Sequence, residues 1–254
     1  MISKLLLLGS SLATLCLSHR AIAQENEPRA ASCIESQPHY ADTLVQATGA
    51  SGILYGDPNR AVNGVFGAGL HQGSTDVFSL DRAKDGILII AWSQGFVCDG
   101  EGADFSVFEN GFRQMPSGAF FFEPVVVSVS IDGVNYEDFP HSYIGGTGVL
   151  DIISEKNWVG FAGMTPVLYN ETINNFAVHG TDPLDPTEAG GDAFDLALLP
   201  DTELGQQIKS QGFRYLKLTG AQKLGFPTSP SAFGGLADID GAYAKRFITP
   251  APAL

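Results

Sequence analysis

Along residues 124–131 the side chains alternate with a period of two. Val125, Val127, Val129 and Ile131 fall on one face of an extended chain, and Val126, Ser128 and Ser130 on the other. Asp132-Gly133 follows, a pair suited to the positive φ angles of a tight hairpin turn, and residues 134–139 are expected to return as the partner strand. The rest of the chain fits this pattern. Its 30 glycines and 14 prolines are scattered over the whole length, and runs of helical periodicity are scarce, as in many short strands joined by turns. Further strands are predicted at 86–92, 103–109, 213–219 and 236–244. One short helix is predicted at 202–211, with Asp201 capping its start, Glu203 at its positive end and Gly212 ending it. Residues 140–191, rich in Gly, Asn and Pro, read as a long structured insertion and not as a second domain. No internal repeat is visible.

The first 23 residues read as a secretory leader. Lys4 supplies a positive start, an apolar stretch runs from Leu5 to Leu17, and Ala21-Ile22-Ala23 offers small residues for cleavage. The apolar run is shorter than the roughly 20 residues that span a bilayer, which argues against a membrane anchor. Leu15 stands before Cys16 where a lipid-attachment site wants a small residue, so soluble export is the preferred reading, to the periplasm, the cell surface or the medium. The expected organisation is a leader at 1–23, an N-terminal arm at 24–39, one all-β domain at 40–248 with its insertion at about 140–191, and a tail at 249–254. Nothing after the leader reaches transmembrane length.

Beyond the leader two cysteines remain, Cys33 and Cys98. In an exported protein they are expected to form one disulfide that ties the arm to the body. The rival reading, a reactive thiol or a metal pair, lacks any short Cys-x-x-Cys spacing. The formal net charge of −14 grows more negative once the leader takes Lys4 and Arg20 with it. That balance disfavours nucleic acid and anionic membranes, which want a basic face, and it suits bound cations.

Oxygen-bearing side chains gather beside glycines and aromatics in four segments. They are Asp57 to Asn63 in DPNRAVNG; Asp104, Glu109 and Asn110 in GADFSVFENGF; Asp192 and Asp195 in GGDAFDLA; and Asp238 and Asp240 in GGLADIDGAYA. Calcium takes six to eight oxygen ligands, many from carboxylates and amides on loops, so these segments are candidate calcium ligands. Asp57 and Asn63 are the weaker pair. Ordinary turn chemistry explains any one Asp-Gly cluster alone. Asp238 and Asp240 differ because they sit in a predicted strand, where a period of two places both on one face. Carboxylates on a core-facing side need cations or donors to compensate them. Zinc is disfavoured, since His39, His71, His141 and His179 show no ligand spacing.

Catalytic signatures are absent: there is no Gly-x-Ser-x-Gly, no His-Glu-x-x-His, no phosphate-binding loop and no dinucleotide fingerprint. A glycosidase, however, depends on two carboxylates set apart in space and not in sequence, so a polysaccharide hydrolase or lyase stays open. Among the aromatics, Trp92 follows the apolar run 87–90 and reads as core. Trp158, Tyr143 and Tyr169 are the candidates for a sugar-stacking platform.

DPNRAVNG, the hairpin VVVSVSIDGVNYEDF, and the closing pair FRYLKLTG and GGLADIDGAYA resemble, in that order, recurring pieces of discoidin-like (coagulation factor 5/8 type C) galactose-binding β-sandwiches. DFSVFENGF, GGDAFDLA and DIDGAYA are closer to a group of poorly characterised bacterial secreted or cell-surface proteins. The resemblance runs from about Tyr40 to Ala244. It implies a jelly-roll sandwich with a structural calcium near one end and ligand-binding loops at the other, and Asn63 stands where the related turn usually carries Asp. The leading expectation is a non-catalytic module that recognises carbohydrate or another cell-surface ligand. A structural or adhesion protein with a protein partner is the alternative, followed by the polysaccharide-cleaving enzyme.

Overall fold

A computed structural model of the protein describes residues 33–48, 54–80, 86–227 and 237–248. These all belong to one compact unit, Ala31–Leu254. The predicted leader, the first residues of the predicted arm and the predicted tail lie outside the described residues. No helix among the described residues is long and apolar enough to cross a membrane.

The strands in chain order are β1 (Ile34–Tyr40), β2 (Thr43–Thr48), β3 (Phe78–Ser79), β4 (Ile87–Ala91) and β5 (Phe96–Val97). Next come β6 (Phe105–Glu109), β7 (Phe112–Arg113), β8 (Phe120–Phe121), β9 (Val125–Ser130) and β10 (Glu137–Asp138). The last are β11 (Ser142–Tyr143), β12 (Trp158–Val159), β13 (Asp192–Phe194), β14 (Tyr215–Gly220) and β15 (Asp238–Ile248). One sheet runs β1-β15-β6-β13, with β3 and β5 also pairing to β15. A second runs β10-β9-β14-β4-β2, and β7-β8 and β11-β12 form small ribbons. Every pairing is antiparallel.

The two large sheets share one core. Phe105, Val107, Ile239, Ala242 and Ala244 from the first meet Leu88, Ile90, Val127, Leu216 and Leu218 from the second. The alternation in β9 is as expected, with Val125, Val127 and Val129 in that core. Its other face is also covered, because Val126 packs with Phe122, Trp158 and Phe161. Farther along the insertion, Val167, Tyr169, Leu184 and Ala189 close over Phe108 and Tyr243 behind the first sheet. The insertion therefore covers sheet faces, which an edge-capping loop would leave exposed.

Three local expectations need correction. Residues 34–40 are no appended arm: β1 pairs with β15 from Ile34↔Phe247 to Tyr40↔Tyr243. The Cys33–Cys98 disulfide forms, as expected, and anchors that strand's start. The hairpin turn is wider than Asp132-Gly133 alone, since Glu137 is the first residue to pair, opposite Val129. Asp132 Oδ1 accepts the N–H groups of Val134 and Asn135, both at 2.8 Å, and so holds the chain in a loop past the tight turn. The helix Glu203–Gln211 is capped by Thr202, whose Oγ1 accepts the Gly205 N–H, while Asp201 instead pairs with Lys209 at 2.9 Å.

Candidate functional site

Strand pairing brings the acidic segments together at separate places. At the first, β13 and β6 pair with Phe194 opposite Phe105, which sets Asp104 beside Asp195. Asp99 arrives from the turn after Cys98. One carboxylate oxygen from each of Asp99, Asp104 and Asp195 lies within 4.8 Å of the others, and no other trio of His, Cys, Asp or Glu among the described residues does this. Asp104 is fully buried. Its Oδ1 accepts the Gly100 N–H at 2.9 Å and Arg246 Nη1 at 3.3 Å, and its Oδ2 accepts the Leu196 N–H at 2.8 Å. Burial pushes Asp104 up to about 7, and the charges of Asp99 and Asp195 add to this. Burial, then Asp195, also raises Asp99, against the pull of Lys209 and Arg246.

These three oxygens form a hard donor set. Their mutual distances are those of a group that could hold a metal ion, although Arg246 already meets Asp104 Oδ1 at 3.3 Å. Asp104 and Asp195 are legible in the sequence. Asp99 was missed because Asp99-Gly100 looks like any turn.

The second centre lies where β6 ends and β15 begins. Ile239 pairs with Glu109, and the Asp238 N–H donates to Glu109 Oε1 at 3.2 Å. Asp238 accepts the hydroxyl of Ser79. Asn110 Nδ2 donates to Ser74 O at 3.1 Å, and Asn110 Oδ1 accepts the Ser74 N–H. Glu123, just before β9, completes the group. Glu109 and Glu123 are 1% and 2% exposed, and among the described residues neither Glu109 Oε2 nor Glu123 Oε1 has a hydrogen-bond partner. Burial raises Glu109 strongly, and the charges of Glu123, Asp238 and Asp192 raise it further. Burial, then Asp238, pushes Glu123 up to about 9. Asp238 is raised by burial against its bonds to Ser79 and Asn110.

A cavity of about 410 Å³ opens onto this group, walled by Leu54, Tyr55, Ser74, Ser79, Asn110, Phe112, Phe121, Glu123 and Asp238. Glu123 was not foreseen. Its signal was a lone acid in the apolar run 119–127.

Asp240 and Asp192 serve elsewhere. A register shift between Ile239 and Gly241 interrupts the simple alternation in β15, so a period of two does not carry through both aspartates. Asp240 Oδ1 accepts the Phe66 N–H at 2.8 Å, its Oδ2 is buried without a partner, and burial pushes it up to about 8. Asp192 clasps the insertion. It accepts the N–H groups of Gly163 (2.7 Å) and Met164 (2.9 Å) and the Thr165 hydroxyl (2.9 Å). Burial sets it at about 6 despite those donors.

Asp57 caps a short turn by accepting the Asn59 N–H, and Asn63 donates to Asp76 at 2.9 Å. Both are exposed and belong to neither acidic group. The expected stacking platform is also corrected. Trp158 and Tyr169 are 3% and 1% exposed because they fill the two clusters under the insertion. Tyr143 leans on Trp158, with ring centroids 4.6 Å apart, and donates its hydroxyl to Gly146 O. Trp92 is core, as read.

No family model, curated protein or solved structure matches this chain.

Proposed function

We propose that this protein is an exported binding module of the discoidin-like, jelly-roll kind. It takes carbohydrate or another cell-surface ligand in the pocket walled by Tyr55, Phe112 and Phe121, and a calcium ion at Asp99, Asp104 and Asp195 braces the strand ends. The observation that carries this reading is the pocket's mixed lining. Rings suited to apolar sugar faces stand beside Asn110, Glu123 and Asp238, which suit hydroxyl donors. Export is supported by the predicted leader and by a disulfide, a bond that is common in oxidising compartments and rare in the cytosol. A glycan array probed with the secreted protein tests the proposal: retention on a defined glycan class, lost in Phe112→Ala, supports it. Absence of any glycan binding, with calcium stabilisation intact, would favour a protein partner.

One observation favours a second reading, a polysaccharide-cleaving enzyme. A buried carboxyl that keeps its proton near neutrality, as Glu123 does, is what a general acid requires, and Asp238 stands in the same pocket. Release of new reducing ends from a bound polysaccharide separates catalysis from binding.

A further inference from the structure

Among the described residues, the walls of the pocket carry two carboxylates, Glu123 and Asp238, and no Lys, Arg or His. Behind them Glu109 adds a third acidic group to the same neighbourhood. Glu123 lines the cavity while almost wholly buried, and among the described residues its Oε1, itself buried, has no hydrogen-bond partner. A buried acidic group without a partner is costly to ionise, and a cation bound beside it lowers that cost.

We propose that the ligand enters this pocket with a protonated amine, seated between the rings of Tyr55, Phe112 and Phe121 and the carboxylates of Glu123 and Asp238. The inference rests on the pocket being the binding site, and it names the ligand class: an amine-bearing molecule, with an amino sugar as the member that fits a carbohydrate module. An ammonium supplies several N–H donors and a positive charge together. Aromatic faces attract a cation as well as an apolar surface. A neutral sugar hydroxyl supplies a donor but no positive charge to face Asp238 or to draw the proton from Glu123. A bare divalent ion fits less well, since among the described residues three carboxylates converge within 4.8 Å only at Asp99, Asp104 and Asp195. A cavity of about 410 Å³ also has room for an organic ligand. Burial and Asp238 keep the proton on Glu123 in the free protein, and a bound ammonium would favour its ionised form.

Calorimetric titration of the secreted protein with glucosamine, N-acetylglucosamine, 1,4-diaminobutane and calcium chloride tests this. Glucosamine should bind, and acetylation of its nitrogen should weaken binding at least tenfold. Glu123→Gln should weaken it as much, while Glu101→Gln, an exposed acid outside the pocket, should leave it unchanged. Phe112→Leu serves as the second variant if Glu123→Gln fails to fold, and it should also weaken the amine.

Equal binding of the acetylated sugar would overturn the amine and leave a carbohydrate site standing. Binding of the diamine alone would keep the amine and discard the carbohydrate. Equal losses in Glu101→Gln and Glu123→Gln would reduce the effect to diffuse attraction and overturn the site. Calcium that displaces glucosamine, and is itself lost in Glu123→Gln, would overturn the amine in favour of a metal. No binding by any of the four would overturn both readings.

Discussion

Glu123 raises the cost of ionising Glu109 in one buried space: among the described residues each has a carboxylate oxygen that no donor reaches, and the charge of Glu123 pushes Glu109 further up. Unfolding frees both to ionise near their ordinary values. Asp240, pushed up to about 8 by burial, behaves the same way.

The first prediction is a stability that falls as pH rises. Glu123 goes from 4.5 to about 9 on folding, so the folded state binds the extra proton across that window. Its contribution is fully present below about 4.5 and is lost as pH rises through 9. In chelator, the urea midpoint should drop between pH 5 and pH 9. Glu123→Gln should flatten that drop, with a gain on the order of a few kcal/mol at pH 9. A midpoint that climbs over this range would contradict the buried, uncompensated carboxylates.

Calcium should raise the melting temperature of chelated protein. An ion present at a hundredfold its dissociation constant contributes about 2.7 kcal/mol. For a chain of this size that is a rise of roughly 5–10 °C. Asp104→Asn and Asp195→Asn should each abolish the rise, and Asp238→Asn should keep it. Loss of the rise in Asp238→Asn alone would move the ion to the other centre.

Asp192→Ala should loosen residues 140–191 from the sheets, because three donors from Gly163, Met164 and Thr165 converge on that carboxylate. Limited proteolysis should cut the insertion earlier while the sandwich core persists. Unchanged cleavage kinetics would rule out the clasp.

Trp158→Ala should cost about 3–5 kcal/mol, the range for truncating a buried aromatic, through the cluster it shares with Phe122, Val126 and Phe161. Ligand affinity of the folded fraction should not change. An affinity loss without a stability loss would restore Trp158 as a contact residue.

Reducing the Cys33–Cys98 bond should lower stability by roughly 2–5 kcal/mol, since it closes a loop with a sequence separation of 65. Denaturation with and without reductant reads this directly. An unchanged midpoint would mean that β1 holds its place on β15 by pairing alone.

Much of the fold was legible because its cues are local. Period-two alternation marked β9 and β14, and an apolar run marked β4, each within a residue or two. Turn residues marked the hairpin, though Asp132 bonded to Val134 and Asn135 and widened it. The Thr202 cap was missed beside Asp201, since both are good capping residues and only geometry chooses between them.

The acidic residues were legible as a group and not as sites. By itself the sequence determined that this chain alternates as strands, that Cys33 and Cys98 lie beyond its apolar N-terminal stretch, and that its acids crowd at strand ends. Tertiary structure alone decided which acids meet. β13 pairing with β6 brings Asp195 to Asp104. The register shift in β15 separates the roles of Asp238 and Asp240, and the insertion turns Trp158 inward. The reason is physical: alternation and turns are written in neighbouring residues, whereas proximity between carboxylates far apart in the chain follows from pairing register, which one bulge can reset.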